Sequence, residues 1–395
     1  MKNGDDNEME LSKDVNKQAV NYQFKILYFF GIIFIVAGHT DNNGGIALFN
    51  DWFIPYAFHV GLFVFASGYF YKRTRQSNII HYIKNKFIHL IVPLYLWNVF
   101  YGVLVYVLRY RDFTIGGDFT IRNLLLTPIT TGHQFAYNLA GWFLIPLFMI
   151  EVCNIIFRKI LEKLKIENEF LIFALYLTAG LCGAWLSMNG YNSGWLLVLV
   201  RMLYFMPFFG LGMLYNAKLE KKDIAPSVIY FIIVFILQLA VITKYGSPVT
   251  YSASWCNDFD NMYMPFVVGA LGIAFWLRIS RVLVPVLKDS KLMNYIANHT
   301  FSIMIHQFLG FMFLKFIFSL GNKYLSLFPN FDWLEYKTNI FYYYLPKGIE
   351  QYTILYLIAG LMLPLAIAYI VGCVKKQFKK YVNRDLRKST ENNLN

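Results

Sequence analysis

FKILYFFGIIFIVAGH, residues 24–39, is followed after a short polar turn by WFIPYAFHVGLFVFASGYF, residues 52–70. The runs are 16 and 19 residues long, close to the roughly 17–25 that an α-helix needs to cross about 30 Å of hydrocarbon at about 1.5 Å per residue. Each also carries one histidine, His39 at the end of the first run and His59 inside the second. An ionisable side chain inside a membrane segment is costly, so it reads first as a functional group.

The rest of the chain agrees with a membrane setting. Of 395 residues 57% are hydrophobic and 15% charged, with 38 Phe and 29 Tyr, a composition that excludes a soluble globular domain. The net charge of +13 could suggest nucleic acid, but in a polytopic protein it comes from cytoplasmic loops rich in Lys and Arg, so no nucleic-acid partner is expected. Cys153, Cys182, Cys256 and Cys373 have neither CxxC nor metal-ligand spacing, so neither a disulfide nor a metal is expected. The first residues mix Asp5, Asp6, Glu8 and Glu10 with Lys13 and Lys17 and lack the apolar core of a signal peptide.

Apolar runs predict an all-α fold of ten spans, near 24–40, 50–71, 87–108, 138–158, 169–188, 194–215, 224–243, 262–280, 299–320 and 352–374. The intervening loops alternate in basic content. Of the 36 Lys and Arg, 27 fall on one side and 7 on the other, leaving Arg201 and Lys315 within spans. The positive-inside rule therefore places both termini in the cytoplasm. The organisation expected is a cytoplasmic tail at 1–23, a ten-helix membrane domain at 24–374 and a basic cytoplasmic tail at 375–395. Three long outer loops, 109–137, 244–261 and 321–351, are rich in Tyr, Trp, Asn and Asp and look able to hold a polar ligand.

Depth along the helices orders the remaining intramembrane polar groups. Arg201 enters from the outer side of the sixth span, Glu151 lies deeper on the fourth, and His306 lies on the inner half of the ninth. Glu151 and Arg201 are expected to neutralise each other, Lys315 to snorkel outward, and Trp142 to act as an interfacial anchor. A histidine such as His306 also serves as a hydrogen-bonding link between helices.

Several fragments, in order, resemble the membrane-bound acyltransferase 3 family: Gly38-His39 closing the first helix, FHVGLFVFASGYF at 58–70, KFIHLIVPLYLW at 86–97, GWFLIPLF at 141–148 and NHTFSIMIHQF at 298–308. The resemblance covers most of the chain. It implies an O-acyltransferase of the plasma membrane that moves an acyl group, usually acetyl from cytoplasmic acetyl-CoA, to hydroxyls of a bacterial cell-surface polysaccharide or its lipid-linked precursor, alongside polysaccharide biosynthesis machinery. His39 matches the family's catalytic histidine. The arginine that the family often carries eleven residues earlier is Tyr28 here, and its Arg-x-x-Arg pattern before the third-helix proline becomes Lys86 and His89 ahead of Pro93.

Acyl transfer to a hydroxyl needs a base for the proton and a donor for the developing oxyanion. His39 fits the base, or an acyl-carrying nucleophile. His59 is expected to orient it or to serve the oxyanion, and Arg201 to serve the oxyanion as a fixed charge. Coenzyme A phosphates call for cations at the cytoplasmic face, which Arg73, Lys86 and His89 supply. A transporter or flippase of a lipid-linked sugar is the competing reading, because it too needs many helices, buried charge and polar outer loops.

Overall fold

The computed structural model describes residues 20–40, 47–246, 249–342 and 352–392, so most of the predicted N-terminal tail lies outside the described residues. All ten predicted spans are helical. They are α1 (Tyr22–Gly38), α2 (Pro55–Tyr69), α3 (Val92–Arg109), α4 (Leu144–Lys163) and α5 (Glu169–Met188), then α6 (Gly194–Leu214), α7 (Ser227–Tyr245), α8 (Met264–Leu287), α9 (Thr300–Leu325) and α10 (Thr353–Asn392). No strand occurs among the described residues; the one β-bridge pairs Ser252 with Asn257 in an outer loop.

Eight helical segments are long and apolar enough to cross a membrane. The two that fall short are α1, with 17 residues, and α2, with 15, and these are the two that carry histidine. At about 1.5 Å per residue they extend only ~25 and ~22 Å. Pro55 begins α2 at the position where a missing N–H is harmless. α1 ends at Gly38, just before His39, and α2 begins at Pro55, so both histidines lie near the ends of short helices.

Other boundaries move outward from the predicted ones. The third span begins far earlier than residue 87, because Arg73–Arg109 is one continuous helical stretch with a π-helical turn at Phe87–Ile91. The last helix runs to Asn392, well beyond the hydrophobic boundary at 374, since Lys-rich sequence carries helix as readily as apolar sequence does.

α2 and α6 approach backbone to backbone at the centre of the bundle. A Cβ at Gly68 would collide with the carbonyl of Phe209, and one at Gly212 with that of Phe65. Small residues at such a crossing let dispersion contacts accumulate where no hydrophobic force drives helices together in lipid. Around this crossing Phe65, Phe205, Phe208 and Phe209 are buried.

Candidate active site

Beside the short helices lies a cavity of about 520 Å³. It gathers His39, Tyr28 and Ile35 from α1, Tyr56 and His59 from α2, and Met304 from α9. Two outer loops roof it with His133 and with Ser252–Trp255, and Trp142 closes one side. His39 and His59, separated by 20 residues and a turn, thus share one chamber.

The hydrogen bonds select which ring nitrogen each histidine presents. Gln307 donates its Nε2–H to the Met304 carbonyl at 3.2 Å, which turns its Oε1 toward His39. The His39 Nδ1–H donates to that oxygen at 3.2 Å, leaving Nε2 without a proton. His59 follows the same logic: its Nδ1–H donates to the Pro55 carbonyl one turn back, so its Nε2 is also a bare acceptor. The Tyr56 ring packs edge-on against both imidazoles and its hydroxyl donates to the Gly38 carbonyl at 2.8 Å, tying α2 to the end of α1.

A third imidazole comes from the roof. His133 stacks on Trp255 with ring centroids 4.5 Å apart, and its buried Nδ1 has no partner among the described residues. Burial, and after it the nearby Arg201 charge, push this loop imidazole down to about 3, so it is neutral at physiological pH.

Arg201 lies behind the wall of the chamber. Its guanidinium donates to the Ser254 carbonyl through Nε at 2.7 Å and to the Thr131 carbonyl through Nη2 at 3.0 Å, and it covers the face of Trp142 at 4.7 Å. It clamps together the two loops that form the roof, and the indole of Trp142 stands between the cation and the space. Trp142 itself is buried and lines the cavity, where the sequence suggested an interfacial anchor.

The predicted Glu151–Arg201 pair does not form. Glu151 accepts from Lys86 at 2.5 Å and from the Tyr82 hydroxyl, because the helix that begins at Ile79 carries both against α4. Nor does Lys315 snorkel: it is fully buried and donates to the Ile340 carbonyl at 3.1 Å. His306 faces away from the chamber. Its Nδ1 meets the Tyr101 hydroxyl at 2.6 Å and its ring stands edge-on to Trp97 at 4.2 Å, which links α9 to α3.

On the cytoplasmic side a second, polar cavity of about 550 Å³ is lined by Arg75, His81, Lys86 and His89. Arg73 is not part of it, since its guanidinium pairs with Glu169 at 2.6 Å, a carboxylate also held by Arg158. Leu90, in the π-helical turn, borders both this cavity and the histidine chamber.

A family model described as an acyltransferase domain, that of the acyltransferase 3 family, matches residues 21–373. The chain belongs to the acyltransferase 3 family. No curated protein and no solved structure matches it. The protein is therefore a multi-pass membrane acyltransferase, and the transporter reading gives way.

Sequence reasoning missed three contributors. Gln307 adjoins His306, and adjacent helix residues point about 100° apart, so only one of the two can face the chamber; the sequence did not reveal which. His133 is one polar residue in a polar loop. Tyr28, where the family often has arginine, lines the cavity.

Proposed function

We propose that this chain O-acetylates a cell-surface polysaccharide or its lipid-linked precursor at the outer face of the plasma membrane, using cytoplasmic acetyl-CoA. The observation that carries the reading is the His39–Gln307 hydrogen bond, which leaves His39 Nε2 bare inside a chamber that shares Leu90 with a cationic cytoplasmic cavity.

In this reading the acceptor hydroxyl enters beneath the roof loops, where Trp255 and Tyr56 offer ring faces and edges to a sugar and His133 Nδ1 awaits a polar partner. His39 Nε2 takes the hydroxyl proton as the oxygen attacks the thioester carbonyl. The C–S bond then breaks, and the imidazolium returns the proton to the departing thiolate. Gln307 Oε1 holds the Nδ1 proton throughout and stabilises the transient imidazolium. His59, whose Nδ1–H is already engaged, presents an Nε2 acceptor to a neighbouring hydroxyl of the sugar and orients the acceptor through it, rather than donating to an oxyanion. Lys86, His89 and Arg75 face the phosphates of coenzyme A on the cytoplasmic side.

The experiment is free-thiol release from acetyl-CoA by protein in lipid nanodiscs with membrane glycolipid extract, wild type against His39→Ala. Release that needs both the extract and His39 is the expected result. Equal release by both proteins removes His39 from the mechanism, and absence of release from either while cells still acetylate the glycan points to a different acyl donor.

A further inference from the structure

Outside the chamber, α3, α9 and α10 border a groove of about 720 Å³. Its walls are apolar, with Leu104 on α3, Leu309 and Phe316 on α9, and Leu363 on α10. Leu309 to Lys323 along α9 covers ~21 Å. One leaflet of hydrocarbon is about 15 Å deep, so the groove runs from mid-membrane to the outer surface.

At its outer end the lining changes to Arg111, Lys323 and Lys337. These are three of the seven Lys and Arg on the outer side of a chain that places most of its cations in the cytoplasm. Arg111 is exposed at this end of the groove. Lys323 lies over the Tyr324 ring at 5.3 Å, and Lys337 reaches the exposed Asp112 carboxylate at 3.4 Å, a contact of little strength in water. Tyr137 also lines the groove, and its buried hydroxyl has no partner among the described residues.

We propose that this groove holds an outer-leaflet lipid with a phosphate or diphosphate head group, the lipid carrier of the acceptor glycan. A hydrocarbon chain fits the apolar wall, the clustered cations match the head-group charge, and Tyr137 supplies a donor to a head-group oxygen. The groove and the chamber share two chain segments. Tyr137 precedes the chamber residues Leu139 and Ala140, and Lys337 precedes the chamber residue Phe341, so the same two chain segments border both spaces. The carrier role rests on the acyltransfer reading above, whereas lipid retention does not.

The test is retention of a polyprenyl diphosphate by the full chain in phosphatidylcholine nanodiscs, read by mass spectrometry of lipid that survives detergent transfer. Arg111→Gln with Lys323→Gln and Lys337→Gln is expected to lower retention at least tenfold, and Leu309→Trp, which fills the groove and keeps the cations, to lower it similarly. His39→Ala is expected to retain the lipid in full, which separates failure of transfer from failure of the groove. Unchanged retention in both groove variants overturns the site. Displacement by free inorganic diphosphate at equal concentration overturns a lipid occupant, and equal retention of phosphatidylglycerol overturns the carrier.

Discussion

The histidine chamber and the ion pairs near the cytoplasmic face use polar side chains in opposite ways. In the chamber, His39 and His59 each have one ring nitrogen engaged by a hydrogen bond, and the buried Nδ1 of His133 has no partner among the described residues. Near the cytoplasm, Glu151 is closed off by Lys86 and Tyr82, Glu169 by Arg158 and Arg73, and Asp223 by Arg278 and Arg281. A carboxylate with two partners has little left to give a substrate, whereas an imidazole with a bare nitrogen has its chemistry still available. Partner count together with a place in the chamber wall, rather than the mere presence of an ionisable group in a span, separates the reactive region from the structural one, since His306 has one partner but faces α3.

The contrast is broken most directly at His39. His39→Ala is expected to lower acyl transfer by about 10²–10⁴, the usual range for a positioned base, while the unfolding temperature in lipid stays close to wild type. A protein that fails to fold instead would move His39 into the structural class. Glu151→Ala should do the reverse. It strands Lys86 and the Tyr82 hydroxyl and should destabilise the protein by about 3 kcal/mol, near the low end for a broken buried pair because Lys86 keeps 26% of its side chain exposed. Thermal unfolding of folded, active Glu151→Ala at wild-type temperature would erase the distinction.

Gln307→Met sharpens it at smaller amplitude. The thioether occupies a similar volume but does not accept strongly from Nδ1–H, so the His39 tautomer is no longer fixed. The expected loss is about tenfold in kcat, or about 1.4 kcal/mol, with KM held, as befits a residue that acts through the base. A rise in KM alone would place Gln307 in substrate binding instead.

How far these roles were legible follows from the kind of signal each leaves. Span positions were readable because apolar runs of this length have few alternatives, and so was the place of His39 at the end of α1, because the apolar run stops there. The partners of Glu151 were not, since Lys86 reads in the sequence as a cation for the coenzyme A phosphates and only a helix reaching back to Ile79 brings it to α4. His306 and Gln307 share a motif, and which one faces the chamber depends on the rotation of α9. That rotation is set by the Tyr101 and Trp97 contacts, and sequence periodicity does not resolve it when the helix is apolar all round. Arg201 was legible as a buried charge but not as a clamp, because its partners are backbone carbonyls that any sequence supplies.

The smallest effect expected is the pH dependence contributed by His133. Burial and the Arg201 charge hold its folded imidazole at about 3, below the ordinary 6.5 that the unfolded chain regains. Between those values the unfolded state binds more protons, so stability rises with pH. The contribution is fully present above about 6.5 and is lost progressively as pH falls toward 3. His133→Asn keeps a polar side chain in the roof without the titration, and should flatten the fall in unfolding temperature between pH 6.5 and pH 4 by a few degrees, with little change at pH 7.5. An unchanged slope would mean that the roof opens in acid and lets His133 take up its proton without unfolding. His133 would then belong with the exposed loop rather than with the two histidines beneath it.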